Sequence, residues 1–397
     1  MPLADRLRAW RTSTGPFLFG AILAQWLSTL CAAAFGATHV GWRFEQGTDS
    51  FAAVQGAFEL VDGDLPREGS GLLWPIVISP FASVADTLDG VLAGVVLLNV
   101  LVLAPLALVS AYWIAVRIGG RLLGVWTVAL WVLGPWLLLV FALDSYDQLV
   151  RDRVLPLVLG LTAEPAFPAA VALVSSAALI ATSLDRRTRI EAAFAGLVAG
   201  AAVAIEPHTL LFLGPAMAAY VAARRVPEAF VFALALAPAV LAIVLWQARA
   251  VDGPDPLSFG AVDWGRFTGN MAGLREFFWS QRVLQWIPLA GAVAVARRSV
   301  PLAVLIGGWM LSFGLVLGSQ PDAGLEGGGI FRVLLPALPA YVVLATAIPL
   351  LVPTLAVRLG SRLDPLSPSY RPGRSVLAIA GILLALVPLA TAALGAA

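Results

Sequence analysis

Four groups of charged residues stand at the edges of apolar runs in this chain, and their types suit proton transfer and anion binding. Asp49 follows the first apolar run. Asp144, Asp147, Asp152 and Glu164 fall within DSYDQLVRDRVLPLVLGLTAE, residues 144–164, together with Arg151 and Arg153. Glu206 and His208 flank Pro207 inside an otherwise apolar stretch, and Arg332 opens a late apolar run behind SQPDAGLEGGG. A carboxylate at a membrane boundary can act as a general base that takes the proton from an attacking hydroxyl. An arginine there can hold a phosphate through two parallel hydrogen bonds and stabilise it as it leaves. Base, phosphate clamp and a lipid-accessible cavity together would suit transfer of a sugar from a lipid phosphate.

Several of these residues also have a plainer reading. Asp62 and Asp64 bracket Gly63 in VDGDLP and read as turn residues. Glu164 precedes Pro165, and an acid beside proline at a helix start is favoured by the helix dipole. The same holds for Glu206 before Pro207. An ionisable group at membrane depth is nevertheless a functional candidate by default, so Glu206 and His208 stay in the set. His208 reads equally well as a satisfied polar core residue.

The elements that must position these groups are membrane helices. The 397 residues are 60% hydrophobic and only 12% charged, too little polar surface for a soluble domain. A net charge of +1 offers no basic field for nucleic acid. One cysteine and two histidines exclude an internal disulfide and a Cys/His zinc site. The basic start MPLADRLRAWRTSTGP leads into a run without a small-residue cleavage site, which reads as a retained first helix.

Hydropathy predicts spans near 16–40, 90–116, 122–143, 165–184, 226–249, 283–296, 300–318, 333–356 and 375–395. Residues 191–223 are divided by Pro207, which breaks a helical ladder. Each half, at about 1.5 Å per residue, reaches only about 22 Å, short of a roughly 30 Å hydrocarbon core. The positive-inside rule favours two short helices over one span. With a hairpin at 191–223, the inner segments collect sixteen of the 25 arginines, among them Arg117, Arg121, Arg186, Arg187 and Arg189. A single span would export Arg224, Arg225, Arg297, Arg298 and the arginines of 358–374. The expected fold is therefore an all-α integral membrane protein, one polytopic domain over 1–397 with about eleven transmembrane helices. The N-terminus is inside, the C-terminus is outside, and the outer loops are 41–89, 144–164, 250–282 and 319–332. Amphipathic helices are expected in those loops, one at 41–65 and one at 263–286. Trp126, Trp131, Trp136, Trp279 and Trp286 are expected at the interfaces.

The order of these features resembles the GT-C superfamily of polytopic glycosyltransferases, which includes protein O-mannosyltransferases, aminoarabinose transferases and arabinofuranosyltransferases. The matching residues are Asp49 after the first span, QGAFEL at 55–60, DGDLP at 62–66 and LLWPIVISPF at 72–81. TAEPAFPAAVAL at 162–173, AGLVAGAAVAIEPHTLLFLGP at 195–215 and FRVLLPALPA at 331–340 follow in the same order. Glu206 stands where the family's hairpin tip usually offers a basic residue. Val333 stands where an aromatic usually follows the arginine.

The resemblance implies an inverting transferase of the plasma (inner) membrane, with its site on the outer, periplasmic face. The donor would be a polyprenyl-phosphate sugar and the acceptor a hydroxyl of a glycan, lipid or protein. Asp49 would be the base, with Asp144, Asp147 and Glu164 as further acids near the site and Glu206 and His208 at the hairpin tip. Arg332, helped by Arg151 and Arg153, would hold the donor phosphate. Some relatives use a divalent metal, Mg or Mn, for which carboxylates at Asp49, Asp144 and Asp147 would be the natural ligands. Three other readings remain: a catalytically inactive scaffold or lipid-binding subunit of the same shape, a secondary transporter, against which the lack of an internal repeat counts, and a lipid-linked polymerase or ligase of surface polysaccharide, which would be expected to carry a larger basic outer loop.

Overall fold

The computed structural model describes residues 14–36, 49–66, 71–85, 87–142, 144–250, 262–277, 283–325 and 328–352. Among them 88% are helical and no strand occurs. Among the described residues, six helices are long and apolar enough to cross a membrane. Helices are what hydrocarbon demands, because each backbone N–H and C=O finds its partner within the same segment. The protein is a multi-pass, all-α membrane protein.

The first span is α1 (Gly15–Gly36). Two shorter helices follow, α2 (Asp49–Val61) and α3 (Leu73–Ala82), packed against each other. The first realises the helix expected within 41–65. It ends as VDGDLP suggests: Gly63 takes φ +88°, Gly63 N–H bonds to Leu60 O, and Asp64 N–H reaches back to Glu59 O at 2.8 Å. Those are the two bonds of a Schellman cap, and the left-handed position favours glycine.

Helix α4 (Leu88–Leu98) runs through a π-helical turn, Asn99–Leu103, into α5 (Ala104–Phe141). The last of these is interrupted at Gly119 and Gly120, the latter at φ +81°. That break falls between the predicted spans 90–116 and 122–143. Helices α6 (Ala166–Arg186) and α7 (Arg189–Ile205) come next, then a 3-10 segment, Pro207–Phe212, and α8 (Leu213–Ala222). The region 191–223 is thus two helices broken at Pro207. Its ring lacks the N–H needed to continue α7. Beyond lie α9 (Val226–Ala250), α10 (Trp264–Phe277), α11 (Val283–Ala296) and α12 (Val300–Val316). The described part ends with α13 (Gly329–Leu334) and α14 (Leu338–Ala347). The predicted span 375–395 and the arginines of 358–374 lie outside the described residues.

Close packing in the centre comes from small side chains. Ala192, Ala195, Ala199 and Ala202 are buried on α7, which lies between α6 and α9. A Cβ on Gly196 would stand 2.2 Å from the Phe232 carbonyl oxygen of α9. Only glycine permits that approach, and close helix contact is what drives association where lipid and side chains are equally apolar. Trp126 and Trp286 are exposed. Trp136 departs from the expectation: it is 2% exposed and donates from its indole to Ser28 Oγ on α1, so it belongs to the core. Trp279 lies outside the described residues.

Candidate functional site

Residues from four separate parts of the chain meet at the helix ends. Asp49 occupies the first turn of α2, where a carboxylate also interacts favourably with the helix dipole. Arg332 lies in α13 and places Nη1 3.1 Å from Asp49 Oδ2. The α13 start is set by its own glycines. A Cβ on Gly329 would stand 2.0 Å from the Asp322 carbonyl oxygen, and Ile330 N–H bonds to Gly324 O. The turn bearing Asp322 is thereby laid against the arginine's helix.

Glu206 and His208 sit where α7 gives way to the 3-10 segment. His208 Nδ1 lies 3.0 Å from Glu206 Oε1, and the Thr209 hydroxyl donates to the Glu206 carbonyl at 2.7 Å. This corner is braced by the segment before α3: a Cβ on Gly71 would stand 2.1 Å from Ile205 O. Backbone therefore touches backbone just beneath the acid–imidazole pair.

Glu164 is delivered by a loop held through its carbonyls. The chain turns at Gly160, φ +71°, with Leu161 N–H bonded to Pro156 O. Asn99 Nδ2 then donates to Gly160 O at 3.0 Å and to Thr162 O at 3.1 Å, and the Trp74 indole donates to Ala163 O at 2.8 Å. Glu164 precedes the first turn of α6, but the helix start has no side-chain cap bond. Its carboxyl instead faces the charged cluster. The Ser50 hydroxyl hydrogen-bonds it, while Oε2 is buried with no hydrogen-bond partner among the described residues.

The charges speak to one another. Asp49 is recessed, and loss of hydration lifts its pKa above the ordinary carboxylate value. Arg332 and His208 oppose that rise, while Glu206 and Asp322 add to it. The side chain nevertheless stays 41% exposed, so the carboxylate remains reachable. Burial pushes Glu164 up to about 7, reinforced by Asp49 and Glu206 and opposed by Arg332 and Ser50.

The shift at Glu164 has a consequence for stability. The unfolded chain would release this proton near 4.5, whereas the folded protein holds it to about 7. Between those values only the folded state carries the proton, so its contribution is complete below 4.5 and is lost as pH rises to 7. Glu164→Gln is expected to leave the melting temperature in detergent nearly unchanged at pH 4.5 and to raise it relative to wild type at pH 8. An identical shift at both pH values would assign the residue an ordinary carboxylate titration.

Five residues singled out in the sequence thus share one site: Asp49, Glu164, Glu206, His208 and Arg332. The rest of the 144–164 segment behaves differently. Asp144 opens a short 3-10 turn, Asp144–Tyr146. Asp147 Oδ2 pairs with Arg151 Nε at 2.8 Å, one helical turn away. Neither Asp147 nor Arg151 is among the charges that set Asp49 or Glu164. Arg153 comes closer to the arginine helix, since a Cβ on Gly328 would meet the Arg153 Cβ at 3.5 Å. Among the described residues, no three His, Cys, Asp or Glu side chains come together to hold a metal ion. Ser50 and Asp322 were not anticipated. Ser50 adjoins Asp49 and was available from position, whereas nothing in SQPDAGLEGGG sets Asp322 apart from any other loop acid.

What remains is a recessed, acid-rich cluster with one arginine and one imidazole, set at the ends of membrane helices. The chain matches no protein-family profile and no curated protein sequence.

Proposed function

We propose that this protein is a GT-C-like glycosyltransferase that moves a sugar from a polyprenyl-phosphate donor to an acceptor hydroxyl. The observation that carries the reading is the meeting of Asp49, Arg332, Glu164, Glu206 and His208, which are scattered over the chain yet linked in one electrostatic cluster. In this reading the chain has eleven membrane helices, with the N-terminus inside and the C-terminus outside the plasma membrane, and the site lies on the outer face.

The chemistry follows from the groups present. The acceptor oxygen attacks the anomeric carbon on the face opposite the phosphate, and Asp49 takes the acceptor's proton. The carbon–oxygen bond to the lipid phosphate breaks, and its electron pair leaves with the phosphate, which Arg332 stabilises. The anomeric centre inverts. Arg332 pairs with Asp49 at 3.1 Å, and a donor phosphate would compete with that carboxylate for the guanidinium. Loss of that neighbouring cation makes Asp49 a stronger base at the moment the donor is in place. Glu164, which keeps its proton up to about pH 7, limits the negative charge facing the phosphate below that pH.

Glu206 at the hairpin tip favours a second reading, a scaffold of the same shape without catalysis. One assay separates the two. Purified full-length protein in nanodiscs would be supplied with polyprenyl-phosphate sugars and membrane-extracted acceptors, and release of free polyprenyl phosphate would be followed. Turnover that depends on the acceptor is the expected result. Donor binding without turnover for any sugar and acceptor would support the scaffold.

A further inference from the structure

A second feature lies along the membrane-facing flank. A cavity of about 640 Å³ runs between α5 and α6, with α3, α4 and α7 contributing to its edges. Leu106, Ser110, Trp113 and Arg117 line it from α5 at spacings of three or four residues, which places them on one helical face. Ala172, Ser175, Leu179, Thr182 and Arg186 do the same from α6. The floor is closed by a hydrogen bond of 3.1 Å between Ser110 Oγ and Ser175 Oγ. From Leu103 to Arg117 the wall is about 21 Å long at 1.5 Å per residue, which is a large part of a roughly 30 Å hydrocarbon core. The side is open, with Leu106 45% and Trp113 48% exposed, so a bilayer lipid has lateral access.

The two ends differ in chemistry. At one end Trp74, Pro168 and Ile205 close the groove, immediately below the loop and hairpin tip that carry Glu164 and Glu206. At the other stand Arg117 and Arg186. Arg117 spends Nη1 on Ala181 O and the Asp185 carboxylate, yet its Nε is buried with no hydrogen-bond partner among the described residues. Arg186 is 69% exposed, with its nearest carboxylate, Glu191, at 3.9 Å. Arg121, Arg187 and Arg189 lie close by in the chain, so residues 117–121 and 185–191 together hold five arginines against two acids, Asp185 and Glu191. A positive mouth on an apolar trough is complementary to a single kind of bilayer component. We infer that this groove binds an anionic phospholipid, with an acyl chain along α5 and α6 and the phosphate on Arg117 and Arg186. A zwitterionic headgroup brings its own cation to the same mouth and gains less.

The site is independent of sugar transfer, so its test reads lipid occupancy alone. Full-length protein would be titrated with phosphatidylglycerol, phosphatidylcholine or a polyprenyl phosphate, and bound lipid counted by native mass spectrometry. Phosphatidylglycerol is expected to be retained at least about tenfold better than phosphatidylcholine, a difference of about 1.4 kcal/mol. The double variant Arg117→Gln/Arg186→Gln should bring it down to the phosphatidylcholine level. Ala172→Trp, which fills the trough and leaves the charges in place, should lower retention of both phospholipids and guards against a folding defect in the arginine variant. Equal retention of the two phospholipids by wild type, or no change in either variant, would overturn the assignment. Displacement of phosphatidylglycerol by polyprenyl phosphate would also overturn it, in favour of an isoprenoid occupant.

Discussion

Asp49→Asn is expected to abolish acceptor-dependent release of polyprenyl phosphate while the protein keeps its fold and still binds donor. Amide and carboxylate have nearly the same shape, so the substitution removes the basic oxygen and little else. The general-base contribution it deletes is typically about 10²–10⁴ in rate. Folding should hold because the carboxylate is 41% exposed and makes one described ion pair, with Arg332 at 3.1 Å. Donor affinity should be maintained or improved, since Arg332 no longer has a competing carboxylate. The measurement is single-turnover product formation beside an equilibrium binding curve for the donor. Wild-type turnover in Asp49→Asn would remove the residue from the chemistry and leave Glu206 and Glu164 as the next carboxylates to test.

Arg332→Ala should act on binding first. A hydrogen bond to a charged group is typically worth about 1.5–3 kcal/mol, so donor affinity should fall by roughly 10–100-fold. Arg332→Lys should recover part of this loss, because it restores the charge without the planar fork. The same variant makes a second, separable prediction. Arg332 opposes the upward shift of the Asp49 pKa, so its removal lets that pKa rise further. Because the base works only when deprotonated, the acidic limb of the pH–rate profile should move to higher pH. Unchanged donor affinity together with an unmoved limb would show that the ion pair is structural.

Much of this site was legible because polar residues stand out against hydrocarbon. Asp49, Glu164 and Arg332 each border an apolar run, and Glu206 and His208 interrupt one, so composition alone marked them. The break at Pro207 was legible for a similarly local reason, the missing N–H. Which acids meet could not be read that way, because meeting is a property of helix packing over long sequence separations. Asp147 and Glu164 look alike in DSYDQLVRDRVLPLVLGLTAE, yet one pairs with Arg151 inside its own turn and the other joins Asp49. Trp136 was misjudged for the same cause: tryptophan suits an interface as well as a core, and only the presence of Ser28 on a neighbouring helix decides it. The lipid groove left no mark in hydropathy, since the serines of its floor and the arginines at its mouth are spread over two long apolar helices.

The loop that delivers Glu164 is secured by three bonds that all end on its carbonyl oxygens, two from Asn99 and one from Trp74. Every residue type owns a carbonyl. The path of residues 160–163 is therefore written largely into positions 99 and 74, apart from the left-handed turn that Gly160 supplies. A substitution at half-buried Thr162 could change the local spelling while the acid stays where it is. A single change at Asn99, inside a membrane helix and remote in sequence, would release the loop and let the carboxyl drift from its neighbours.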